Sequence, residues 1–384
     1  MIDKEYYFSL CKDAELNQEM YIEQAKSQKV RWEYAEWKRY DTTPFWFERN
    51  LEPRSPIKDS VASLAYGFNK NGEICFIQSR QEECIDRNEE RMINRRYSNG
   101  KVDSIEELIF IDGLPVKYVE FIVRNGMNPG QEWHFEEDYV YDDKKLVEIK
   151  RNEFWYAGNS IRTREIQIEY DETGNIAWIK ENGEMKYRNI SDEHARQIRD
   201  EVKKELIDES IGTIKKIGAK LQDNQICFIG IYLHDEPFGV VDPIFHPGLQ
   251  SIRDEQIEAE EDLWTIWNAG EHPVQNQEAL SNDQLKEKFQ MLMQYWQKNS
   301  DWSNEPQNPV LIHNTWWGES KALWQEVAME LNKLNWDGVL PVTETFVIYA
   351  DGEAFDVAGG DLSKSVPDDK LRILESKGLL SDRI

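Results

Sequence analysis

The sequence is short of basic residues, poor in cysteine and without a long apolar run, and each shortage argues against a class of function. Its 46 Lys and Arg face 73 Asp and Glu, a formal net charge of −27. Such a surface repels phosphate backbones and anionic lipids. Direct nucleic-acid binding is disfavoured, because that affinity rests on cations neutralising phosphates. Four cysteines (Cys11, Cys75, Cys84 and Cys227) are scattered over 384 residues without a Cys-X-X-Cys pair, which points to a reducing compartment. No apolar stretch approaches the roughly 20 residues that span a bilayer. The N-terminal MIDKEYYFSL is charged from its third residue and lacks the apolar core of a secretory signal. The chain therefore reads as cytoplasmic, with neither membrane nor nucleic acid as partner.

Catalytic signatures are missing as well. There is no G-x-S-x-G elbow, no P-loop, no G-x-G-x-x-G and no cysteine inside a nucleophile signature. Ala358-Gly359-Gly360-Asp361 has no Gly-Lys-Ser/Thr after it and reads as a turn. Cys75 and Cys227 sit inside strand-like runs, where a small buried thiol is the default. No cofactor is implied.

What is present is apolar and aromatic. Hydrophobic residues make up 40% of the chain, and it holds 14 Trp, enough for packed cores despite the charge. Its length predicts two domains. Residues 1–57 read as an N-terminal helical arm, because Lys4–Arg39 contains neither Gly nor Pro. From 58 to 190 the pattern turns to short strands rich in β-branched and aromatic residues, broken by polar turns. Phe68-Asn69-Lys70-Asn71-Gly72-Glu73-Ile74 and Tyr170-Asp171-Glu172-Thr173-Gly174-Asn175-Ile176 share one pattern. Asn or Asp bonds its own backbone there and Gly supplies positive φ. Tyr141–Val147 is a looser copy. The stretch predicts a meander of antiparallel hairpins. A linking helix is expected over 191–221, with Ile198, Val202, Leu206, Ile211, Ile214 and Ile217 as its apolar stripe. Residues 222–384 read as a second domain. It contains the buried-strand run ICFIGIYL, an FGVVDPIF partner, helices near 251–263, 281–298 and 318–335, and a strand TFVIYAD turning at Asp351-Gly352 into EAFDV. The expected fold is α+β: an antiparallel hairpin-rich sheet, then a separate α+β domain with helices packed on a small antiparallel sheet.

Two resemblances attach to these patterns. The aromatic–Asn/Asp–Gly–Ile unit resembles the YD-type hairpin repeats of bacterial Rhs and related surface or toxin proteins. The order of ICFIGIYLHD, Trp-rich helices, ALWQEVAMELNKLNWDGVL and a strand-turn-strand ending is similar to small bacterial proteins, some of them immunity proteins of polymorphic toxin systems. The second resemblance implies binding by occlusion and carries over no catalytic residue.

Several residue clusters are candidates for a site. His234-Asp235-Glu236 with Asp242 and His246 could hold a divalent metal, although a polar hairpin loop accounts for them better. His313 and Asn314 beside Trp316 and Trp317 could build a ligand pocket, although a capped helix start with core Trp residues is the plainer account. Glu136, Glu137 and Asp138 read as a solvated strand end. RDEQIEAEEDLW places carboxylates ahead of Trp264 and Trp267. It could dock on a cationic protein with Trp as anchor, or be a solvated amphipathic helix. The leading expectation is a non-enzymatic bacterial binding protein, immunity- or antitoxin-like, that occludes a basic protein partner. The alternative is a hydrolase or carbohydrate-binding protein with a Trp-lined cleft between the domains.

Overall fold

The computed structural model describes residues 2–123, 132–154, 161–221, 223–234, 239–299, 314–352 and 355–380. The described residues divide into two units, one built by those up to Asn189 and the other by those from Ile190 onward. No described helix is long and apolar enough to cross a membrane.

The first unit is a sheet of twelve strands among the described residues. They are β1 (Arg31–Ala35), β2 (Leu64–Phe68), β3 (Ile74–Gln78), β4 (Glu82–Arg87), β5 (Arg91–Ser98), β6 (Lys101–Ile111), β7 (Leu114–Ile122), β8 (Trp133–Asp142), β9 (Lys145–Phe154), β10 (Ile161–Tyr170), β11 (Ile176–Glu181) and β12 (Glu184–Arg188). Each pairs antiparallel with its neighbours in chain order, so the sheet is a pure meander. The repeated turn forms twice in the same way. Asn69 Oδ1 accepts from the backbone N–H of Asn71 and of Glu73, and Asp171 Oδ1 accepts from Thr173 and Asn175. Gly72 and Gly174 follow at φ of 80° and 87°, where a side chain would strain the backbone. The looser copy turns at Asp143-Lys144, with both φ values positive and no glycine.

Both faces of this sheet are covered. Helices α1 (Lys4–Leu16) and α2 (Gln18–Gln28) bury Tyr7, Cys11, Ala14 and Ala25 against Phe76, Ile105 and Phe121. The opposite face packs Tyr40, Phe45 and Leu51 of the crossover between β1 and β2 on Tyr66, Phe68 and Leu108. That crossover contains helix α3 (Trp46–Asn50). The expected helical arm is thus part of the first unit, and the helix does not run to Arg39. After Lys29 the alternation Trp32, Tyr34 suits a strand, and β1 completes backbone hydrogen bonds along the edge of β2. Tertiary pairing overrides the weak helical propensity of this stretch.

The second unit begins with α4 (Asp192–Lys220), capped by Ser191, which accepts from the His194 N–H at 3.2 Å. Its stripe of Ile198, Val202, Leu206, Ile214 and Ile217 lies in the main core of this unit. The expected link is therefore a structural wall. The sheet contains β13 (Ile226–Tyr232), β14 (Ile244–Leu249), β15 (Glu278–Ala279) and β16 (Val342–Asp351), in the order β15-β14-β13-β16. The first two pairings are antiparallel, and β16 runs parallel to β13. One face packs on α4, α7 (Asp283–Asn299) and α8 (Asn314–Leu331), and the other on α5 (Gln250–Glu258), α6 (Leu263–Trp267) and α9 (Asp368–Ser376). Burial on both faces explains why β13 reads as an unbroken apolar run. Parallel pairing is possible because antiparallel β14 carries the chain back to the end where β13 began, and β16 enters beside β13 only after a long connection. No strand follows Asp351 among the described residues; Val357–Gly360 forms a turn instead.

Candidate functional site

A recess with convergent aromatic and polar groups lies in the second unit, where β13, β16 and α6 meet. It is a cleft of about 400 Å³ lined by Tyr232, Trp264, Trp267, Tyr349, Asp351 and Phe355, with Gly230, Asn268 and Gly352 contributing backbone or small side chains. The volume lies in the ordinary range of ligand sites.

Local sequence sets each wall. Asp262 caps α6, its carboxylate accepting from the Thr265 N–H at 2.7 Å. The short helix then presents Trp264 and Trp267 three residues apart, on one side. Trp267 is fully buried and donates from Nε1 to Leu379 O at 2.9 Å. Trp264 stays 50% exposed at the mouth. The Tyr349 hydroxyl donates to Trp267 O, and the Phe355 ring stacks on Tyr349 at 4.8 Å and 3°.

Asp351, at the end of β16, is the charged group of the cleft. It is almost fully buried. Its Oδ1 accepts from Lys321 Nζ of α8 at 2.5 Å and from the Gly352 N–H at 2.7 Å, while Oδ2 has no hydrogen-bond partner. Burial raises its carboxyl above the usual aspartate range, and Lys321 opposes that shift. Gly352 is tightly packed: a Cβ there would stand 3.0 Å from Cζ2 of Trp317, so the indole would have to shift.

Behind Trp267 lies a buried cation. The Arg253 guanidinium is 4.4 Å from the Trp267 ring and 5.1 Å from Phe228. It is fully buried, and its nitrogens make no hydrogen bond. Burial holds its pKa below the ordinary arginine value. His272 lies at the edge of the same Phe228 ring. Its Nδ1 accepts from the Leu249 N–H at 3.1 Å, so the neutral ring carries its proton on Nε2. Burial, with His246 and Arg253 nearby, pushes its pKa down to about 4.

The sequence candidates fare unequally. Trp264 and Trp267 both line the cleft. Trp316 is buried in the core under α4, α7 and α8, and Trp317 packs against that core beside Gly352. His313 lies outside the described residues, as do Asp235 and Glu236. His246 is buried, with Nε2 at 3.1 Å from His272 O and Nδ1 at 3.0 Å from Gln277 Nε2. Both ring nitrogens are therefore occupied. It stands opposite Gly230, roughly 13 Å along the chain from His234 at about 3.3 Å per residue, and the His234 ring packs on Tyr232. Asp242 pairs with Lys286 at 2.7 Å. Among the described residues no group of His, Cys, Asp and Glu could hold a metal ion.

Sequence reasoning missed a buried ionic array in the first unit. Arg96 reaches Glu106 and Glu120, and lies 3.5 Å from Glu83. Asn94 and Thr42 also donate to Glu106. Three carboxylates share one guanidinium, and burial is the largest influence on Glu106, whose pKa rises to about 7. Glu137 is fully buried, held by Arg49 at 2.8 Å, Arg151 at 2.9 Å and the Tyr139 hydroxyl at 2.6 Å. Glu136 is buried on the opposite face, where it accepts from the Ile2 N–H. The expected solvated strand end is thus corrected: only Asp138 of the three is exposed, because helices and the crossover cover both faces. These carboxylates have partners and serve the fold. A wider depression of about 950 Å³ in the same unit is bordered by Glu73, Arg87 and Phe110, where Arg87 pairs with Glu73 and stacks on Phe110. All four cysteines are free and buried; burial pushes the Cys227 thiol up to about 11.

No protein-family model, curated protein or solved structure matches this chain.

Proposed function

We propose that the protein is a binding protein that captures a basic protein partner through the second unit, in the occluding manner of an immunity- or antitoxin-type protein. The observation that carries this reading is the half-exposed Trp264 at the mouth of an aromatic cleft, inside a segment of one charge sign. Residues 254–285 hold nine Asp and Glu and no Lys or Arg. Glu258, Glu260, Glu261 and Asp262, directly before Trp264, are all exposed. Residues 190–384 carry 36 of the 73 acidic residues but only 18 of the 46 basic ones. Such a field steers a cationic surface toward the cleft, and an exposed tryptophan beside a pocket is the kind of residue that anchors an interface.

Affinity capture from the source cell, with wild type beside Trp264→Ala at low and high salt, tests it. A basic protein recovered in stoichiometric amount by wild type at low salt, and lost with Trp264→Ala, supports the reading. Recovery of the same proteins by both forms overturns it.

A second reading is favoured by the cleft itself. A carbohydrate-binding protein or hydrolase would use the stacked aromatic walls for a sugar ring and the buried Asp351, with its raised pKa, for polar contact or proton transfer. The cleft lies within the second unit and uses Trp264 and Trp267 in place of His313, Trp316 and Trp317. Salt-independent quenching of tryptophan fluorescence by a neutral oligosaccharide would favour this second reading over the first.

A further inference from the structure

The cleft has a charge preference that its residues state individually. Among the described residues lining it none is Lys or Arg. Among the described residues no cation stacks on Trp264, Tyr349 or Phe355, whereas the Trp267 ring already carries the Arg253 guanidinium. Trp264, half exposed, is thus the aromatic wall of the cleft that carries neither a stacked ring nor a cation among the described residues. Among the described lining residues the one carboxylate is Asp351, with one oxygen tied to Lys321 and Gly352 and the other without a hydrogen-bond partner. A buried carboxylate oxygen left unpaired is costly, and a donor that completes it is correspondingly favoured. Aromatic faces together with a carboxylate make a site for an organic cation, because ring quadrupole and carboxylate attract the same charge.

We infer that the cleft seats one cationic side chain of the partner, Lys or Arg, over Trp264, with Asp351 as the residue that selects its charge. This rests on the binding reading above and specifies what occupies the site. Lys321 acts as an internal competitor: it neutralises part of the Asp351 charge in the free protein, and an incoming ammonium or guanidinium shares or replaces that contact. The acidic approach through Glu260, Glu261 and Asp262 raises the local concentration of such a group without touching it.

The test uses the intact protein and small probes. n-Butylguanidinium and n-butylammonium are titrated against tryptophan fluorescence, with N-butylurea as the neutral probe of similar shape. Expected is binding of the two cations at least about tenfold tighter than the urea, a factor worth about 1.4 kcal/mol. Trp264→Ala weakens all three probes, while Asp351→Asn removes the preference for cations and leaves the urea unchanged. Should Asp351→Asn fail to fold, Lys321→Gln gives an independent reading, since freeing Asp351 tightens the cations several-fold and leaves the urea unchanged. Equal binding of cation and urea, or a Lys321→Gln variant with unaltered cation affinity, overturns the inference. Loss of partner capture in Trp264→Ala together with equal probe binding would sink this inference alone. Cation selectivity with partner capture untouched by Trp264→Ala would sink the wider reading alone.

Discussion

The first unit carries charge inside its sheet and matches it, with Arg96 set among Glu83, Glu106 and Glu120 and with Glu137 held by two arginines. The second unit has an apolar sheet core, and its incompletely matched polar groups include Asp351 at the cleft and Arg253 behind it. In a structural network every buried charge finds partners, and removing one of them is what costs stability. At a binding site some groups are held in place without being satisfied, and a ligand completes them. The difference teaches that burial of charge alone does not single out a site here, and the binding role proposed for the cleft rests on incomplete pairing beside an aromatic recess.

Four variants would break or sharpen this contrast. The largest effect is expected for Trp324→Ala in the second unit. Trp324 is fully buried and donates to Val240 O at 2.8 Å. Truncation should cost about 3–5 kcal/mol, read as a lower urea midpoint for the second unit with the first unit's transition unmoved. Arg96→Met should cost about 3 kcal/mol, because it leaves Glu83, Glu106 and Glu120 without their shared cation. An unaltered midpoint for the first unit would show that the array is not structural.

Glu106→Gln tests the sign of the network's pH dependence. Because the folded pKa of Glu106 is raised to about 7 from 4.5, its contribution to stability is full below the unfolded value and is lost as pH rises through the folded one. Wild type should therefore lose stability from this group between about pH 4.5 and 7, and the glutamine variant should lack that slope. Urea midpoints for the first unit at the two ends of that window decide it. The smallest stability effect belongs to Trp264→Ala, within about 0.5 kcal/mol because half the side chain is already exposed. Its binding should nevertheless fall, and a large loss of stability would place Trp264 with the core.

Much of the first unit was legible because its contacts are local. Asn69–Gly72 and Asp171–Gly174 turn the chain by side-chain bonds within five residues, and consecutive strands then meet without further instruction. The crossover over the other face was not legible, so Glu137 looked solvated. In the second unit the helices and strands could be read, but not the direction of β16, since apolar runs carry no sign of parallel or antiparallel pairing. The Trp264–Trp267 pair stood out through its acidic neighbours. Asp351 looked like an ordinary turn residue, and nothing in its neighbourhood along the chain announced Lys321, thirty residues earlier in α8.

By itself the sequence determined the α+β class, the meander with its turns and the acidic segment ahead of Trp264 and Trp267, because each depends on composition or on residues a few positions apart; that Trp264 is exposed and Trp267 buried was decided by packing. Tertiary structure alone decided that α4 is a wall of the second unit, that β16 lies parallel to β13, and that Asp351, Trp264 and Phe355 surround one cleft. Those outcomes depend on which distant surfaces exclude water from one another, and the free energy of that choice belongs to the packed arrangement as a whole.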